Sequence, residues 1–160
     1  MIDFTKSFDT GLNAAEKAQR NKTEINQVFE HLNIQLAKHT SGKVKISISK
    51  HRKMEDVLKF SLFGPKNYYY SITATNPIIG PVSAKELANW EESRAGYPCK
   101  INLFSDEIYC EDKLALEQGL SQMLEDPTIG DILYSIINLE PTSVTEEITP
   151  EESSGDEEAS

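Results

Sequence analysis

The chain has 160 residues, 38% of them hydrophobic and 26% charged, enough apolar material for one ordinary core. Its formal net charge of −10 argues against a general affinity for nucleic acid or anionic membrane. Two cysteines exclude a disulfide framework, and no run approaches the roughly 20 apolar residues that a membrane helix needs.

The charge is unevenly placed. Residues 41–75 hold seven Lys and Arg against two Asp and Glu, whereas residues 104–160 hold one basic residue against sixteen acidic ones. The polar opening stretch 1–9 lacks the hydrophobic run of a signal peptide, so a cytoplasmic protein is expected, with Cys99 and Cys110 as buried thiols.

From about residue 7 to 39, Phe8, Leu12, Ala15, Ile25, Phe29, Leu32 and Leu36 step by threes and fours, the spacing of one helix face. A long helix is expected, with a break near Asn21 where the sequence turns polar all round and Thr23 capping a second segment. The stripe from Ile25 to Leu36 fits core packing against a sheet; a dimer seam of coiled-coil type is the alternative. Thr40, Ser41 and Gly42 close the helix.

Residues 43–74 alternate apolar and polar three times. Val44, Ile46 and Ile48 form one apolar edge, Leu58, Phe60 and Leu62 a second, and Tyr68, Tyr70 and Ile72 a third, with Gly64, Pro65, Lys66 and Asn67 as turn residues. This predicts a three-stranded antiparallel meander with one polar face. Residues 76–81 read as a rigid loop bracketed by prolines. Ser83 and Glu86 have the S-x-x-E spacing of a capping box, which predicts a short helix over 84–94 with Leu87 and Trp90 on one face.

A hairpin is expected next, 97–104 with 107–110; it would bring Cys99 and Cys110 onto neighbouring strands in a register the sequence leaves open. Glu111 and Asp112 open a helix carrying Leu116, Leu120 and Met123, and Asp126 with Pro127 starts another carrying Ile129, Ile132, Leu133, Ile136 and Ile137. The resulting fold class is α+β: a five-stranded, mainly antiparallel sheet, meander plus hairpin, packed by a long N-terminal and two C-terminal helices. Residues 1–139 make one domain and 140–160 a disordered acidic tail.

The order helix, three strands, short helix, two strands, helix over residues 25–138 resembles that of type III secretion chaperones. That resemblance implies a homodimer that binds an unfolded segment of another protein.

No residue pattern carries a chemistry. His31 and His39 lie eight residues apart on one helix, about 12 Å along its axis and too far to share an ion. No Cys/His cluster, serine elbow or phosphate-cradling glycine loop occurs, so neither enzyme activity nor a cofactor or metal is expected. The expected role is a non-enzymatic protein-binding regulator, an inhibitor or adaptor of the kind mobile elements encode. The alternative is a nucleic-acid binder using the basic face of residues 43–74, with the acidic tail as autoinhibitor. In either case the candidate binding residues are Lys43, Lys45, Arg52, Lys53, Lys59, Lys66 and Tyr69. Another protein, nucleic acid or a second copy are the partners weighed; a membrane is not expected.

Overall fold

The computed structural model describes residues 1–53 and 67–141. Helix α1 (Phe4–Thr40) starts where Asp3 accepts hydrogen bonds from the Thr5 and Lys6 amides, and ends on Ser41 in the left-handed conformation. The expected break at Asn21 does not occur. The Asn21 side chain donates a 2.8 Å hydrogen bond to the Ala95 carbonyl, so a tertiary contact holds the polar middle of the helix.

The strands β1 (Lys45–Arg52), β2 (Tyr68–Thr75), β3 (Lys85–Ser93), β4 (Gly96–Asn102) and β5 (Glu107–Cys110) form one antiparallel sheet in chain order. Two elements depart from the sequence reading. The short helix expected over 84–94 is β3, because the Ser83 hydroxyl is taken up by the backbone of Asn76 and Gly80 rather than capping a helix. A bulge between β2 and β3 then lets the consecutive residues Leu87 and Ala88 both reach the core, and Trp90 follows on the same side. The capping signal is local and of order 1 kcal/mol, which pairing on both strand edges outweighs. The strand expected at 58–62, its turn residues 64–66, and the tail from residue 142 onward lie outside the described residues. With 84–94 extended, the described strands pair in chain order, and the helix that the type III chaperone order expects at 84–94 is a strand instead.

Helices α2 (Lys113–Glu125) and α3 (Pro127–Ile137) start on Asp112 and Asp126, whose carboxylates accept from the Ala115 amide and from the Thr128 and Ile129 amides. The helices pack on the sheet face that carries Ile46, Ile72, Ala74, Trp90, Cys99 and Ile101, where Phe29 meets Trp90 edge to face at 5.7 Å. Cys99 stands opposite Cys110 across β4 and β5, both fully buried as free thiols. The loop after β2 is fastened by Asn76, whose side chain accepts from the Ile78 amide and donates to the Ile136 carbonyl of α3.

Among the described residues no helix is long and apolar enough to cross a membrane.

Candidate binding surface

Among the described residues β1 is an edge strand, and its alternation decides what each candidate residue faces. Lys45, Ser47, Ser49 and His51 lie on the face away from the helices, while Ile46, Ile48, Lys50 and Arg52 lie on the helix side. The basic residues therefore form a band along an edge rather than one plane. Lys43 is exposed in the turn before β1, Lys45 is exposed opposite Thr75, Arg52 ends the strand, and Lys53 follows it with its amide bonded to the Asn67 carbonyl. Lys59 and Lys66 lie outside the described residues. Lys50 sits 4.1 Å above the Tyr68 ring, a cation–π contact.

Tyr69 is on the same face as His51, and its ring and hydroxyl are both engaged. The ring stacks on His51 at 5.0 Å and 24°, and the hydroxyl donates a 2.8 Å bond to Glu86. That bond to a carboxylate holds the Tyr69 phenol above its ordinary range.

His51, Ser71 and Glu86 bring together the residue types of a hydrolytic triad, which no sequence spacing signalled. The His51 Nε2 atom lies 2.8 Å from the Ser71 Oγ and 3.4 Å from the Glu86 carboxylate. A relay needs the serine and the carboxylate on opposite ring nitrogens, whereas here both face the same one. Ser71 is moreover fully buried, its hydroxyl 3.1 Å from that of Thr73. The group ties β1, β2 and β3 together and presents no nucleophile. Among the described residues no three His, Cys, Asp or Glu side chains gather as a metal site.

The outer edge of β1 is partly closed by a residue that the sequence reading passed over. Asn33 of α1 accepts from the Ile46 amide and donates to the Ile46 carbonyl, both at 2.7 Å, as a neighbouring strand would. The only sequence signal is a polar residue next to a helix's apolar stripe. Since the Ile46 amide and carbonyl point outward, alternation points those of Ile48, Lys50 and Arg52 outward too, and no strand among the described residues pairs with them. A groove of about 540 Å³ runs beside this edge, lined by Phe29, Ile34 and Ala37 from α1 and by Ile46 and Ile48 from β1. Ile34 is exposed at its rim.

No family model matches the chain, and no characterised protein or solved structure shows significant similarity to it.

Proposed function

We propose that this chain is a non-enzymatic, cytoplasmic protein-binding module that receives an extended acidic segment of a partner protein along β1. The observation that carries this reading is the outward backbone of Ile48, Lys50 and Arg52, flanked by basic side chains and by the apolar groove under α1. An extended segment adding as a further strand would gain main-chain hydrogen bonds from those residues. Its alternate side chains would enter the groove, and acidic ones would meet Lys50, Arg52 and Lys53. Pairing of β1 with β1 of a second copy about Lys50 is disfavoured, because it sets the two Lys50 side chains against each other.

Affinity purification of the full chain from its native cell, in parallel with the Lys50→Glu/Arg52→Glu variant, tests the reading. One stoichiometric protein should be recovered by the wild type and lost with the variant, and hydrogen exchange at the Ile48, Lys50 and Arg52 amides should slow in the complex. A partner retained by the variant, or unchanged exchange at those amides, rejects strand addition.

The second reading is nucleic-acid binding, supported by the density of cations along β1 and opposed by the engagement of Tyr69. Fluorescence anisotropy with a 20-nucleotide oligo(dT) decides it: tight binding that falls steeply with salt and is abolished by Lys45→Glu/Arg52→Glu puts this reading first.

A further inference from the structure

The first residue of α1 to be buried is Ile25, and Met1 to Asn13 are all exposed. This projecting stretch is not polar. Phe4, Phe8 and Leu12 are 75%, 67% and 49% exposed, and they follow one another at four-residue steps along one side of the helix. Asp3, Lys6 and Asp9 fall outside that row, and its flank carries Ser7 and Gly11, with nothing within 4 Å of the position a Gly11 side chain would occupy.

We infer that this row is the contact surface for a second copy of the same chain, with the two α1 helices crossing antiparallel at Phe8. A row of i, i+4 side chains is one of the two natural ridges of a helix, and two such ridges interdigitate. The row is symmetric about Phe8, so a two-fold axis there sets Phe8 against Phe8 and Phe4 of each copy against Leu12 of the other. No acidic or basic residue of Asp3–Asp9 is trapped in that seam, and the small Ser7 and Gly11 allow close approach. Aromatic side chains bury 150–250 Å² each, so Phe4, Phe8 and Leu12 withdraw on the order of 400 Å² per copy from water. Both copies together reach roughly 800 Å², the size of a weak, transient contact. Micromolar, concentration-dependent dimerisation follows. The contact is remote from the β1 edge and independent of what that edge binds.

Sedimentation velocity of the full chain from about 1 to about 100 μM should show a monomer–dimer equilibrium. Phe8→Ser should shift it to monomer while leaving the circular dichroism spectrum and Tm unchanged, because Phe8 makes no core contact. Phe8→Cys should form a disulfide-linked dimer under oxidised glutathione, two thiols being oxidised as glutathione is reduced, whereas Lys6→Cys on the opposite side of the helix should not. Four results overturn the inference: a monomer at all concentrations, a dimer that survives Phe8→Ser, equal cross-linking by the two cysteine variants, or occupation of the row by a different protein on a monomeric chain.

Discussion

Asn33 closes its carboxamide on the backbone of Ile46 with two 2.7 Å hydrogen bonds, one given and one received. A helix side chain thereby stands where a sixth strand would begin, and it blunts the edge of the sheet at one end, while among the described residues no strand pairs with the rest. Asn33→Ala removes both bonds and leaves the Ile46 amide and carbonyl to find water or another chain. We expect a loss of about 1–2 kcal/mol in urea unfolding. Because the pairing edge is lengthened by one position, light scattering at high concentration should also show more self-association than the wild type.

The loop after β2 depends on buried polar groups rather than on apolar ones. The Asn76 amide donates to the Ser83 hydroxyl at 2.8 Å, and its side chain bridges the Ile78 amide and the Ile136 carbonyl. Both residues are about 1% exposed. Removing either partner strands a group that water cannot reach, so Ser83→Ala and Asn76→Ala should each cost about 1–3 kcal/mol. Asn76→Asp keeps the shape but sets a carboxylate oxygen against the Ile136 carbonyl, and it should be the more damaging change. A Tm series on the three variants gives the order directly.

These contacts show where the sequence was readable. The stripe from Ile25 to Leu36, the alternation in β1 and β2, and the aspartate caps of α2 and α3 are written in residues at most eleven apart, so periodicity and capping rules reach them. β3 was misread because Ser83 and Glu86 satisfy a local helix-start pattern, while the decisive partners of Ser83 lie at Asn76 and Gly80. The alternation of Ala88 and Trp90 with Asn89 and Glu91 was a legible strand signal that the capping pattern masked. The continuity of α1 through Asn21 depends on Ala95, 74 positions away, and the Asn33 closure on a strand 13 positions away. For the candidate surface, the cations were visible but their division between two faces was not, since it follows from β1 being an edge that only the sheet order reveals.

The turn between β3 and β4 meets α1 at closest approach through Gly96. Its φ is +88°, and a side-chain carbon there would lie 2.8 Å from the Asn21 Cβ. Gly96→Ala therefore combines left-handed strain with a clash that displaces the Asn21–Ala95 hydrogen bond, and should cost about 2–4 kcal/mol. Gly130 in α3 is the control, because nothing lies within 4 Å of the carbon that an alanine would add. Gly130→Ala should raise stability by about 0.5–1 kcal/mol through helix propensity alone. Parallel guanidinium titrations should move in opposite directions.

Tyr97 and Cys99 make the fold sensitive to alkaline pH. The Cys99 thiol is pushed up from its ordinary value of 9.0 by its hydrogen bond to Cys110 and by burial, while the same bond holds the Cys110 thiol down, so the pair's upward part is the one carried by Cys99. The Tyr97 phenol is pushed up from 10.0 by burial and by the nearby Glu24 charge. Above pH 9 the unfolded chain releases protons that the folded chain still holds, so the folded state binds more protons than the unfolded one and stability must fall as pH rises. The contribution is fully present below about pH 9 and is lost progressively above it, so the urea midpoint should be level at neutral pH and decline between about pH 9 and about pH 11. Tyr97→Phe separates the two groups. Among the described residues the buried Tyr97 hydroxyl has no hydrogen-bond partner of good geometry, so its removal should leave stability unchanged or raise it by up to about 1 kcal/mol at pH 7. It should also make the alkaline decline shallower, leaving the part due to Cys99. An alkaline slope unchanged in Tyr97→Phe would assign the whole effect to the thiol pair.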